Sequence, residues 1–316
     1  MYLVGVDLGG TEIKTGLVSK DKGIINKVAI PTEADKGADI VAENIIKTIK
    51  IVAEGNLDNI EGIGIGSPGS IDRDNGIVRY APNLPFHNFE LAKAVYEELK
   101  IPTFVENDAN AFALGEWYFG SSQGLKHFIA LTLGTGIGGG VVSHGILITG
   151  KDGIGTELGH VIVQPDGPLC GCGSRGCIET IASARNTARW AKEFSVKVPN
   201  NMVVELAGSI EKIESKHVFM ALEKGDIVAK MVVDKITDAL AKAIANFVHI
   251  FNPEMVIIGG GMSKAGDALL NPIREKVDFY LMPSFKNSFK IMQSSLVEDA
   301  GILGASAAAI YHYEVK

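Results

Sequence analysis

Two segments far apart in this 316-residue chain repeat one succession of apolar strand, glycine turn and returning strand. In the first, Tyr2-Leu-Val-Gly-Val-Asp7 runs through Asp7-Leu-Gly-Gly-Thr11, and Ile13 to Val18 returns. In the second, which starts at about His127, Phe128 to Leu133 leads into Gly134-Thr-Gly-Ile-Gly-Gly-Gly140 and back through Val141-Val-Ser-His144. A plan used twice restricts the chain to folds built from two similar halves. A third antiparallel strand is expected over 24–30, and Val41, Ile45, Ile49 and Val52 recur at helical spacing, predicting a helix over about 37–54. Ile60 to Ile65 and Thr103 to Glu106 read as buried strands, Leu91, Val95 and Leu99 as a helix, and Asn107 to Asn110 as the start of another.

Farther on, helices are expected at about 180–194, 217–224 and 226–250, and Val256-Ile-Ile258 is a strand ending in Gly259-Gly-Gly261. Residues 195–214 carry no clear pattern. The last helix, Gly301 to Tyr313, should pack back on the first half. Strands that meet strands and then alternate with helices indicate an α/β fold with mixed sheets covered by helices. The expected division is a small lobe of residues 1–118 plus 301–316 and a large lobe of 119–300.

All three cysteines lie within eight residues, in Cys170-Gly-Cys172-Gly-Ser-Arg-Gly-Cys177, shortly after Glu157-Leu-Gly-His160 and just before Glu179. Three thiols and an imidazole make a Cys₃His set suited to a closed, tetrahedral structural zinc. One disulfide with a leftover thiol, or three free core cysteines, would use the same residues. A metal knot over 157–179 would hold Glu157, His160 and Glu179 at fixed positions, as a polar pocket requires.

Both glycine turns place backbone N–H groups and a threonine hydroxyl where they could clasp a phosphate, although a glycine hairpin needs no ligand to explain it. Asp7 would then stand near the Mg²⁺ of those phosphates. No Gly-x-x-x-x-Gly-Lys-Ser/Thr motif occurs. Asp108 sits between a strand and a helix, where it could cap the helix or take a proton from an attacking hydroxyl. Asn83, in the loop Ala-Pro-Asn-Leu-Pro, offers donor and acceptor to sugar hydroxyls or simply makes a turn. Lys14 is either a solvated charge or part of the nucleotide side.

The formal charge is −7, which argues against nucleic acid as a partner. The start has no cationic region followed by an apolar stretch and a cleavage site, and clustered thiols suit a reducing compartment, so a cytoplasmic location is expected. No uncharged apolar run reaches about 18 residues, so no membrane span is expected.

Together these motifs resemble the ROK family of sugar kinases and repressors, its bacterial glucokinases above all. The likeness runs over nearly the whole chain: Asp7-Leu-Gly-Gly-Thr11, Gly66-Ser-Pro-Gly69, Glu106-Asn-Asp-Ala-Asn110, Gly134 to Gly140, Glu157-Leu-Gly-His160 and Cys170 to Glu179. It implies a two-lobed ribonuclease-H-like, actin-like ATPase fold and an ATP-dependent hexose kinase, with glucose to glucose 6-phosphate as the leading reaction. Another hexose, such as fructose, mannose or an N-acetylated aminosugar, is the alternative substrate. The implied base is Asp108, the sugar ligands Gly69, Asn83, Asn107, Asp108, Glu157, His160 and Glu179. On the nucleotide side it implies Asp7, Gly9, Gly10, Thr11, Lys14, Gly134, Thr135, Gly136, Gly260 and Gly261. His160, Cys170, Cys172 and Cys177 would hold Zn²⁺, and a homo-oligomer, dimer or tetramer, is expected. Family repressors carry a DNA-binding segment before the first strand, for which a strand starting at residue 2 leaves no room. Polyphosphate-using relatives usually lack the cysteine cluster, which favours ATP. Many similar glucokinases have Trp where this chain has Phe86.

Overall fold

The computed structural model describes residues 2–55, 57–296 and 298–315. The first half opens with three antiparallel strands, β1 (Tyr2–Leu8), β2 (Glu12–Ser19) and β3 (Gly23–Pro31). Helix α1 (Ala38–Ala53) leads to β4 (Ile60–Ser67), which pairs parallel with β1. The short strands β5 (Ser70–Asp72), β6 (Ile77–Tyr80) and β7 (His87–Phe89) form a separate antiparallel sheet. Helix α2 (Leu91–Leu99), strand β8 (Thr103–Asn107) and helix α3 (Asp108–Tyr118) complete this half.

The second half is laid out on the same plan. Strands β9 (Phe128–Leu133), β10 (Ile137–Ser143) and β11 (Ile146–Leu147) are antiparallel neighbours. Helices α4 (Glu179–Ala182), α5 (Ala184–Lys197), α6 (Met202–Ala207), α7 (Ser215–Glu223) and α8 (Ile227–Phe251) precede β12 (Met255–Gly259). Helix α9 (Asp267–Tyr280), strand β13 (Lys290–Gln293) and helix α10 (Ala300–Val315) follow. The sheet orders are β3-β2-β1-β4-β8 and β11-β10-β9-β12-β13, with antiparallel and parallel pairings at matching places. The repeat seen in the hairpins therefore extends through both sheets.

Helix α1 buries Val41, Ile45, Ile49 and Val52 against the first sheet, one residue per turn of its apolar face. Helix α8 caps itself with Asp226, whose Oδ1 accepts the Ala229 N–H at 2.8 Å, and buries its apolar stripe in the second core. Helix α10 packs on β1 and β4, helix α3 on β9 and β10, and the two helices pack on each other. The chain ends thus return to the first sheet.

One expectation is corrected, and several elements are added. Gly138, Gly139 and Gly140 are not part of a turn but lie within β10. Glycine is required there by close approach: an added Cβ would come within 2.8 Å of the Ala109 Cβ at Gly138 and 2.6 Å of the Ala113 Cβ at Gly140. The stretch 195–214 contains α6, and β5 to β7, α9 and β13 add elements the pattern did not disclose. Strands of three or four residues are too short to show a period. Pro272, inside α9, reads locally as a break.

Candidate active site

The carboxyl ends of β4 and β8 meet the β9–β10 turn and the end of β12 around a cavity of about 600 Å³. That is within the range of small-molecule sites and lies where α/β sheets commonly bind ligands. On the first-sheet side stand Gly69, Asn107 and Asp108. The helix cap at this junction belongs to Asn107, whose Oδ1 accepts the N–H groups of Ala109 (2.9 Å) and Asn110 (3.2 Å). Its Nδ2 donates to the Gly69 carbonyl at 3.2 Å, which leaves one amide hydrogen for a ligand. Asp108 is the first helical residue, and its Oδ1 also accepts the Ala109 N–H at 2.9 Å.

Burial pushes the Asp108 carboxyl up to about 6; the Ala109 N–H opposes this, while the charges of Asp7 and Glu157 add to it. Two further carboxylates thus stand close enough for Asp108 to feel them. Burial is also what raises Asp7, with Lys14 opposing.

From the second sheet come Gly134, Thr135 and Gly136, with the Gly134 N–H donating to the Gly136 carbonyl at 3.0 Å. Glu179 is pinned beside this turn, its Oε2 accepting the Ile137 N–H at 2.9 Å. Glu157 and His160, at the two ends of a short helical turn, line the same cavity. Thr156, just before Glu157, has a left-handed backbone at φ 63°, a strained setting for a β-branched residue.

His160, Cys170, Cys172 and Cys177 bring one ligand atom each to within 4.8 Å of one another. Cys170 Sγ lies 3.5 Å from His160 Nδ1, and Cys172 Sγ lies 3.7 Å from Cys177 Sγ. The sulfurs are too far apart for a disulfide. A tetrahedron with Zn–S bonds of about 2.3 Å has edges of about 3.8 Å, so the donor set fits that ion. Burial pushes the Cys177 thiol up to about 12, whereas the Ser174 backbone N–H lowers Cys172; a divalent ion is what would hold all of them as thiolates. The segment folds tightly because Gly176, at φ 69°, sits where any Cβ would meet the Gln164 carbonyl at 1.5 Å.

The other sequence candidates divide. Gly260 lines the cavity, but Gly261, in the adjoining short helical turn, does not. Asp7, Gly9, Gly10, Thr11, Lys14 and Asn83 lie outside the cavity wall. Asp7 faces Lys14 across the β1–β2 pair and rests against Gly301 in the first turn of α10. Gly10 abuts Asn83, since an added Cβ would come within 2.9 Å of the Asn83 Cβ. Lys14 is half exposed and pairs with Glu12 at 3.6 Å. Phe86 is fully buried and stacks on Phe89 at 4.9 Å. Tyr80, Pro82, Ile154 and Thr156 line the cavity without having been singled out. No local signal marks them, because their place depends on how the small sheet and the 150–156 loop fold over the site.

The ROK family pattern matches residues 3–312. The chain belongs to the ROK family. It is 53% identical to a glucokinase of Thermotoga maritima, over 97% of this chain and 96% of that one. It is 39% identical to a glucokinase of Halalkalibacterium halodurans, over 96% and 93%. A crystal structure of a ROK family glucokinase from Streptomyces griseus, in complex with glucose and AMPPNP, superposes with a TM-score of 0.85 at 35% identity, over 97% of this chain and 98% of that one. The α/β fold, actin-like in its two related halves, is thus that of ROK kinases.

Proposed function

We propose that this ROK protein transfers the terminal phosphoryl group of ATP to the 6-hydroxyl of glucose, giving glucose 6-phosphate and ADP. One observation carries the reading: Asp108, its carboxyl pushed up to about 6 by burial, lines one cavity with the β9–β10 glycine turn, Glu157, His160 and Glu179. The relatives named glucokinase and the glucose and AMPPNP held by the Streptomyces enzyme support it.

In this mechanism Asp108 accepts the proton of the sugar 6-hydroxyl as that oxygen bonds to phosphorus and the bond to ADP breaks. A base near neutral pH is matched to that task. Glu157 and Glu179, acceptors when ionised, take hydroxyl hydrogens of the sugar, and Asn107 donates its remaining amide hydrogen. His160 keeps Nδ1 for the cysteine cluster and offers Nε2 to the sugar. The N–H groups of the β9–β10 turn, with Thr135, hold phosphate oxygens. Asp7 would hold the nucleotide's Mg²⁺, which neutralises charge on the phosphates and relieves the buried carboxylate. The cysteine cluster with His160 would hold structural zinc, fixing His160 and Glu179 in place. The two halves act as lobes, residues 1–118 with 301–316 and residues 119–300, whose closure keeps water from the phosphoryl group.

A panel of glucose, mannose, fructose, N-acetylglucosamine and N-acetylmannosamine in a coupled ADP-release assay tests the reading. Glucose is expected to give the highest kcat/KM; a better substrate among the others would move the assignment within the family, and no turnover would end it. The same assay run against pH should show kcat/KM rising about tenfold per unit up to about 6 and level above it, because the base works only once ionised. An acid limb near 4 would mean that Asp108 is not the titrating group.

A further inference from the structure

Glu106, two residues before Asp108, is 1% exposed at the end of β8. Its Oε1 accepts the Asn107 backbone N–H at 3.0 Å and the Asn110 Nδ2–H at 3.1 Å. Its Oε2 lies 3.4 Å from Nε of Arg73, which comes from the turn between β5 and β6 and is itself only 15% exposed. Two N–H donors from the β8–α3 junction thus share Oε1, and the Arg73 guanidinium sets its charge beside Oε2. Burial pushes the Glu106 pKa up and Arg73 opposes this.

Asn110 carries the arrangement across the cavity. With its Nδ2 held by Glu106, its Oδ1 faces Thr156 Oγ1 at 3.5 Å, and Thr156 is the strained residue that precedes Glu157. Arg73 also reaches toward the second half, with its Nη1 3.5 Å from Thr149 Oγ1 and its guanidinium 5.5 Å from the Tyr311 ring centre. A buried ion pair is a poor device for stability alone, because the desolvation cost offsets the attraction. Its use here is geometric: both hydrogen bonds that Glu106 accepts come from groups flanking Asp108, the Asn107 N–H and the Asn110 side chain.

We propose that Glu106 is a positioning residue for phosphoryl transfer: countered by Arg73, its carboxylate clamps the Asn107 peptide and the Asn110 side chain, and so fixes Asp108 and Glu157 relative to the sugar. The assignment rests on the kinase reading above and adds to it a residue that touches neither sugar nor nucleotide.

The test compares wild type, Glu106→Gln, Asp108→Asn and the double variant by steady-state kinetics with glucose and ATP. Glu106→Gln keeps the shape but turns an N–H toward a donor and leaves Arg73 without its counter-charge. Its kcat should fall about 100-fold, the cost of a misplacement on the order of 1 Å, while KM for glucose changes less than about threefold. In the Asp108→Asn background the same change should cost no more than about twofold, because the group it positions is already gone. A Glu106→Gln enzyme with near-wild-type kcat, or losses that multiply fully in the double variant, would overturn the assignment. Should Glu106→Gln fail to fold, Arg73→Met serves instead: about a tenfold loss in kcat at nearly constant KM supports the clamp, and unchanged kcat overturns it. Wild type inactive on every hexose would overturn the kinase reading and this assignment together, whereas an active wild type beside an unaffected variant overturns this assignment alone.

Discussion

Replacing Asp108 by Asn is expected to lower kcat by about 10³- to 10⁴-fold, the range for a lost general base, while leaving glucose affinity within about threefold. The same change should make the protein more stable near neutral pH. The Asp108 pKa stands at about 6 in the fold against an ordinary 3.8, so the folded state holds this proton more tightly than the unfolded one. Ionised Asp108 therefore destabilises the fold; the cost is absent below 3.8, grows as pH rises, and is complete above about 6. At about 1.4 kcal/mol per pH unit it amounts to roughly 3 kcal/mol for a group buried this deeply. Asparagine fills nearly the same space without the charge. Thermal melts should show the variant several degrees above wild type at pH 8, with the gap shrinking as pH falls toward 5. A variant that keeps its rate would remove Asp108 as base. One that loses its rate without gaining stability would show that burial is not what raises the carboxyl.

Removing one thiol of the cysteine cluster should act at a distance from the cysteine itself. Cys172→Ala is expected to release the zinc, lower the melting temperature, and raise KM for glucose by at least about tenfold, with a smaller effect on kcat. The path is short. His160 offers a nitrogen to the cysteine cluster and is part of the cavity wall, and Glu179 follows Cys177 by two residues while accepting the Ile137 N–H beside the glycine turn. Loosening the knot would therefore free two groups proposed to grip the sugar and weaken a support of the β9–β10 glycine turn. Metal analysis of the purified protein, alongside glucose titration, measures both effects. Metal content that falls while glucose affinity holds would mean that the knot braces only its own segment.

Much of the arrangement is legible along the chain because its signals are short-ranged. Ile60 to Ile65 reads as a strand from its own apolar run, and Val41 to Val52 as a helix from its own period. The candidate metal set is legible for another reason, since all its thiols fall in one eight-residue stretch. Gly138 to Gly140 misled because a glycine that gives room to a helix looks the same, in sequence, as one that turns a corner. The letters around Asp108 suit a cap or a base alike; in the fold the cap is Asn107.

Taken alone, the sequence determined the longer strands and helices, the repeated hairpin plan, the cysteine cluster and the family resemblance, each of which is written in short motifs along the chain. Only the tertiary structure decided the surroundings of Asp108. Its raised pKa comes from burial and from the charges of Asp7 and Glu157, residues distant in sequence that the two sheets bring together. It likewise decided that Arg73, Glu106, Asn110 and Thr156 form one polar chain across the cavity. Desolvation and electrostatic coupling belong to the surroundings of a group in space, and no run of letters on either side of it records them.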